Sequence, residues 1–488
     1  FNSFGIYKIM VKWYNLYEFN YIFKEKIALI SAEEKRHQML NDPVELLVCR
    51  LAVPTIITMM ITAFYNMADT FFVGRLDTVS TAAVGLALPL MNIVQALGFF
   101  YGHGSGNYIS GKLGEGDTRS ASVMADTAAV FSLLTGTLIA VLGLVFDRQL
   151  AAFLGADEVL MDSTIEYISV LLIGVPFQMA SFTMNNQLRF QGSAFYGMIG
   201  MAGGSVLNVA LDPLFISVLD MRVRGAAIAT VISQIVSFII LLKMSGRFHL
   251  KKPLFKPSFK IVGIMFKFGS PSLVRQGIMS IAAICLNHSV VVYGAAAVAA
   301  MSVVNRIIIL GNSVIIGFGQ GFQPVCGFNR GAGKFGRVRR VYLFCIKLST
   351  IFMTFFGIVV FIFAPELIRF FRDDPDVVAA GTNILRFQCF TAPLQGVCVM
   401  TNMIMQNMGK TVPATLLAVA RQGIFFIPLL YILSAAFGFF GIQITQAAAD
   451  VMSAAVSIPI AAAVSKKLAE KERLSTEKGD QNGQIRTF

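Results

Sequence analysis

Apolar residues along this chain fall into runs of roughly 20 to 28, parted by short segments of Gly, Pro and charged residues, and about 20 apolar residues wound as a helix cross the hydrocarbon core of a bilayer. About twelve such runs are present, at 46–74, 82–110, 119–145, 163–188, 194–219, 225–244, 263–290, 297–327, 339–363, 380–407, 411–436 and 440–464. The pattern predicts an all-α integral membrane protein. Residues 1–40 read as an extension that is interfacial or disordered, 41–245 as a first six-helix bundle and 246–262 as a cytoplasmic linker. Residues 263–467 then form a second six-helix bundle and 468–488 a polar tail. The aromatic stretch 6–23 is broken by Lys8, Lys12 and Glu18 and lacks a small-residue cleavage site, so it does not read as a secretory signal.

The two bundles repeat each other in sequence. Pro54 and Pro271, Gly104 and Gly321, Gly114 and Gly331, Pro176 and Pro393, Gln178 and Gln395, and Gly192 and Gly409 each lie 217 positions apart (271 − 54, for example). A register held across several spans indicates duplication. Because six spans return the chain to its starting side, the repeats are parallel, related by an axis along the membrane normal.

Composition and charge agree with this reading. With 56% hydrophobic and 14% charged residues and a mean hydropathy of +0.69, the chain is too apolar for an ordinary soluble enzyme. The net charge of +13 would suit a nucleic-acid partner, but Lys and Arg gather at the chain ends and in alternate loops, which marks topology and not nucleic-acid binding. Lys243, Arg247, Lys251, Lys252, Arg337, Arg339 and Arg340 fall on one side with both termini, expected to be cytoplasmic; Asp157, Glu158, Asp162, Asp373, Asp374 and Asp376 fall on the other. The six cysteines form no framework, the four histidines show no ligand spacing, and GFNRGAGK at 327–334 lacks the spacing of a phosphate loop, so no cofactor, metal centre or enzyme chemistry is read from them.

Ionisable groups inside spans cost on the order of 2.5–3.5 kcal/mol each and so need a reason. Asp69 lies about 7 Å from the outer end of the first span and Asp212 about 10 Å from that of the fifth, with Thr230 at similar depth in the sixth. Asn208 precedes Asp212 by one helical turn and shares its face. Pro213 cannot donate to Val209 and pushes that carbonyl out of the ladder. The set is a hard-oxygen site suited to sodium, or to acids that trade a proton. The second half carries Leu286, Phe425, Leu429 and Gln446 at the matching positions, which places the cation site in the first half alone. Of the remaining embedded charges, Arg421 and Asp450 are expected to neutralise each other across neighbouring spans.

The segments AVPTIITMMITAFYNMADTFFVGRLD (52–77), ISGKLGEGD (109–117), NVALDPLF (208–215), RGAAIATVISQ (224–234) and GFGQGFQPVCGFNRGAGK (317–334) together resemble the multidrug and toxic compound extrusion (MATE) family, bacterial branch, from about residue 41 to 467. The resemblance implies two six-helix bundles forming a V around a cavity that opens to either side in turn. It implies a cation-coupled antiporter that exports organic cations and other amphipathic drugs, driven by H⁺ or Na⁺, monomeric in the bacterial inner membrane. The family's cation site falls on Asp69, Asn208, Asp212 and Thr230, and Tyr65, Asn185 and Met201 match positions lining the substrate cavity. Relatives that carry acids in the seventh and tenth spans differ from this chain, which has Gln276 in the former region and no carboxylate between Thr391 and Met408. A flippase for a lipid-linked precursor is the alternative within transport; a membrane enzyme or sensor would need a catalytic set or signalling domain that the sequence does not show.

Overall fold

The computed structural model describes residues 32–73, 78–245 and 258–485, with side chains described except at 32, 65–78, 80, 217 and 475–485. The N half holds α1 (Ala32–Asn41), α2 (Val44–Val73), α3 (Thr78–Glu115), α4 (Thr118–Val145), the short α5 (Asp147–Phe153), α6 (Met161–Phe190), α7 (Ala194–Pro213) and α8 (Arg222–Ser245). The C half holds α9 (Phe259–Val291), α10 (Ala295–Gly331), α11 (Phe335–Ile362), the short α12 (Ala364–Phe371), α13 (Pro375–Asn407), α14 (Thr411–Val419) and α15 (Ile427–Ile485).

Among the described residues, nine segments are long and apolar enough to cross a membrane. Helices α9 and α13 have the length but dilute their hydropathy with Lys267, Arg275 and Arg386. The long segment through α14 and α15 holds two crossings, divided at Gly438, where φ 59° and ψ −136° leave the helix. The architecture is the all-α, twelve-crossing membrane fold that the hydrophobic runs require.

Duplication is visible in the helix bounds themselves. Subtracting 217 from 335–362, the bounds of α11, returns 118–145, those of α4. Helices α3, α6, α10 and α13 all end the same way: the glycines at 116, 192, 333 and 409 take φ of 88°, 78°, 72° and 69°. Each lets the amide of the next residue reach back to the carbonyl five positions earlier, as Asp117 does to Lys112 and Lys334 to Asn329, both at 2.9 Å. Only glycine takes that left-handed conformation without steric cost.

The halves meet where these four helices end, on the side of the basic loops. A Cβ on Gly321 of α10 would lie 2.6 Å from the Ala52 Cα of α2, and one on Gly104 of α3 would lie 2.7 Å from the Met265 carbonyl oxygen of α9. Small residues here allow backbone-to-backbone approach. The largest buried cluster accordingly mixes Met39, Val48 and Ala52 of the N half with Phe322, Tyr342 and Met400 of the C half. Toward the acidic loops, Gly85 on α3 and Gly277 on α9 have nothing among the described residues within 4 Å of where a Cβ would sit, and Phe64 and Arg306 are exposed.

Two boundaries differ from those read in the sequence. The extension expected to be interfacial or disordered ends in α1, a helix held by both halves; residues 1–31 lie outside the described residues. Arg36 Nε donates to the Gly114 carbonyl at 3.1 Å on the N side, while Asn329 Nδ2 donates to the Met39 carbonyl and Lys334 Nζ to the Leu40 carbonyl on the C side. The tail does not part from the bundle at residue 468: α15 runs on, Leu468 is buried and Lys471 sits over the Phe335 ring. In both places polar composition hid an apolar contact made by one or two residues. Most of the linker, 246–257, lies outside the described residues.

Candidate functional site

Helices α7 and α8 approach closely because α7 carries small residues on the facing side. Ser237 Oγ donates to the Gly200 carbonyl at 3.0 Å, and a Cβ on Gly204 would lie 2.8 Å from the Ser233 carbonyl oxygen. The approach brings Thr230 of α8 against Asn208 of α7, and both are buried with Asp212, which has no exposed surface. The Asn208 amide satisfies its surroundings in one orientation only: its nitrogen then donates to Asp212 Oδ2 at 3.0 Å, and its oxygen accepts from the Thr230 amide at 3.2 Å and from Thr230 Oγ1 at 3.3 Å. The opposite orientation, which points Nδ2 at Thr230 Oγ1, leaves the carboxylate facing an oxygen. Past Pro213 the helix widens to a π turn over Leu214–Val218, with the Leu219 amide donating to the Leu214 carbonyl at 2.9 Å. A proline that cannot donate to Val209 frees the ladder to change register.

A cavity of about 80 Å³ adjoins this trio, lined by Thr62, Gln178, Phe182, Met201, Gln234 and the serines 181 and 233. Gln178 Oε1, Ser181 Oγ, Ser233 Oγ and Gln234 Oε1 find no hydrogen-bond partner among the described residues. Buried acceptors without donors mark a place where a ligand, ion or water completes the bonding. The space suits a few waters, or the charged head of an organic cation.

Of the residues singled out in the sequence, Asn208, Asp212 and Thr230 come together and Met201 lines the adjoining cavity. Asn185 does not line it; this half-buried side chain faces Gly197 on the α6–α7 contact. Asp69 and Tyr65 lie on α2, but their side chains fall outside the described residues. Gln178, Ser181, Ser233 and Gln234 were not singled out as site residues. The available signal was modest: Gln178 is half of a repeated pair, and Gln234 ends the segment 224–234.

The C half treats the same place differently. Leu286, Phe425 and Leu429 pack into an apolar cluster. Beside them, Arg421 Nε donates to Asp450 Oδ1 at 2.6 Å, the mutual neutralisation expected from the sequence. Gln446 Nε2 donates to Asp450 Oδ1 at 2.9 Å, and Gln395 Nε2 and Thr391 Oγ1 donate to Oδ2 at 3.2 and 3.3 Å. A carboxylate this buried is fully bonded by its own half.

A family model described as MatE matches residues 54–214 and 271–432, one match in each half. Curated relatives include the multidrug export protein MepA of Staphylococcus aureus (strain MSSA476), 28% identical over 415 residues that cover 84% of this chain and 92% of that protein. The protein of the same name from Staphylococcus haemolyticus (strain JCSC1435) is 27% identical over 398 residues, 80% of this chain and 87% of that one. Among solved structures, the outward-facing conformation of a multidrug resistance MATE family transporter of the MOP superfamily superposes with a TM-score of 0.83 at 27% identity, covering 89% of this chain and 98% of that one.

Proposed function

Because the chain belongs to the MatE family, we propose that it exports organic cations and other amphipathic drugs in exchange for a proton or a sodium ion, by alternating access. It acts as a monomer in the bacterial inner membrane with both termini cytoplasmic and without an organic cofactor. The side of the basic loops, where the halves touch, is the cytoplasmic side, so the arrangement described is closed to the cytoplasm.

The observation that carries the reading is the wholly buried Asp212, tied through Asn208 to Thr230 beside a cavity whose acceptors lack donors. A carboxylate placed inside a span is costly and marks a functional site, so Asp212, with Asp69 from α2, holds a proton, a sodium ion or the cationic head of a substrate. The carboxylate, amide and hydroxyl oxygens are ligands that sodium accepts. Binding the ion weakens the hold on the substrate, and a ligand shifts the two facings only by its differential affinity for them. One charge crossing the full field is worth about 2.3 kcal/mol per 100 mV, enough for a roughly forty- to fiftyfold substrate gradient.

The test is efflux of a fluorescent organic cation from proteoliposomes under an imposed proton or sodium gradient. Transport should follow one of the two gradients and stop when it is collapsed. Movement of a lipid-linked precursor with no cation efflux would replace this reading with that of a flippase.

A further inference from the structure

Arg189 lies in the last turn of α6, 3% exposed, and among the described residues no carboxylate pairs with it. A guanidinium in such a place must be satisfied by neutral acceptors. It finds three. Nη2 donates to Asn186 Oδ1 at 2.6 Å and lies 3.2 Å from His103 Nε2, and Nη1 donates to Gln320 Oε1. His103 Nδ1 lies 3.2 Å from the Phe99 carbonyl oxygen, so Nδ1 carries the proton and Nε2 accepts from Arg189.

Asn186 and His103 belong to the N half and Gln320 to the C half. His103 and Gln320 are moreover the same position of the repeat (320 − 217), so the guanidinium is held between two equivalent points of α3 and α10. The bridge has no reciprocal. The repeat mate of Arg189 is Gln406, whose amide donates to the Phe268 carbonyl at 2.8 Å and Ser272 Oγ at 2.7 Å, both inside the C half. Duplication therefore does not account for the link. Arg330 also crosses the junction, but to a backbone carbonyl, that of Asn107 at 3.2 Å.

We propose that Arg189 is the positioning residue that keeps the cytoplasmic side shut, and that inward opening proceeds by breaking its bond to Gln320. The proposal rests on the alternating-access reading above. In the dry junction the bond is charge-assisted and strong. Once the halves part, water replaces Gln320 on the guanidinium. The contact thus favours the closed state without locking it.

Ser110 is fully buried at the same junction, against Gly327, and serves as the reporter. The full-length Ser110→Cys protein in lipid nanodiscs is treated with N-ethylmaleimide, and the modified peptide is followed by mass spectrometry. Adding Arg189→Ala should speed labelling of the introduced thiol by about ten- to a hundredfold, the range for losing a charged hydrogen bond. Arg189→Lys should fall between, because an ammonium lacks the planar fork that spans both halves. Gln320→Leu should match Arg189→Ala, and the double variant should add nothing further. Cys389, buried in the cluster built from the C half alone, monitors unfolding and should keep its parental rate. Unchanged labelling at position 110, or equal acceleration at Cys389, overturns the proposal. If the parent moves no substrate while Arg189→Ala still opens the junction, the export reading fails and the latch stands.

Discussion

Arg421 and Asp450 form an ion pair 2.6 Å long at positions whose repeat mates in the N half are Gly204 (421 − 217) and, at the offset of 216 that pairs Gly225 with Gly441 in this last span, Gln234 (450 − 216). Both mates line the cavity beside Asn208. Gln395 and Gln446, which bond Asp450, correspond to Gln178 and Thr230 of the same cavity wall. One duplicated pocket has filled itself with a side-chain cation and anion, and the other has kept its space and its unpaired acceptors.

Breaking the pair should cost more than removing it. Asp450→Asn leaves the partly buried Arg421 guanidinium uncompensated, a loss that reaches about 3–5 kcal/mol where both groups are fully buried and should be smaller here, whereas exchanging both residues for apolar ones of similar volume is often neutral. Thermal unfolding of detergent-solubilised protein should therefore show a drop for Asp450→Asn and recovery of most of it in Arg421→Met/Asp450→Leu. A double variant less stable than the single would show that the pair does more than neutralise itself.

Asp69 and Asp212 should behave as one unit. Asp→Asn at either keeps size but removes the titrating proton and the full charge, so gradient-driven efflux per folded molecule should fall sharply while insertion is preserved. The two losses should not add, because the first already disables the site. Near-parental exchange by the double variant would remove the coupling site.

Glycines on the two sides of the molecule should respond oppositely to alanine. A Cβ on Gly331 would lie 2.0 Å from the Gly111 carbonyl oxygen, so Gly331→Ala should force α3 and α10 apart and destabilise by about 1–3 kcal/mol. Gly85 and Gly277 have open space around them, and alanine there should be neutral or stabilising by up to about 1 kcal/mol through helix propensity. Melting temperatures of the three variants settle the contrast.

Docking of α1 should tighten with alkalinity. Burial against the bundle, reinforced by Arg50, lowers the Lys35 ammonium from its ordinary 10.5 to about 8, while the side chain donates to Ser193 Oγ. The folded state therefore holds fewer protons than the unfolded one between about pH 8 and 10.5, and stability rises with pH across that window. Below about 8 the group is charged in both states and its contribution is flat. Hydrogen exchange of the 32–41 amides, corrected for intrinsic rate, should slow over this range in the parent and not in Lys35→Met.

The spans, the duplication and one face of the site were legible in the sequence because each is local or periodic. Twenty apolar residues report a crossing wherever their neighbours lie, and a spacing of 217 survives any packing. Asn208 and Asp212 share a face because they are one turn apart, and Pro213 disturbs its helix through its own ring. Even the pairing of Arg421 with Asp450 followed from the cost of leaving either bare in a membrane. The tertiary structure alone decided the rest, since periodicity says which face of a helix is polar but not which helix it meets. Arg189 and Gln320 are 131 positions apart and join only because small residues let α3 and α10 close on each other beside the end of α6. The acceptors of Gln178 and Gln234 became a cavity wall only when α6 and α8 were set side by side, and the polar helix α1 earned its place through Met39 and a few carbonyls, too few residues to raise a hydrophobic signal.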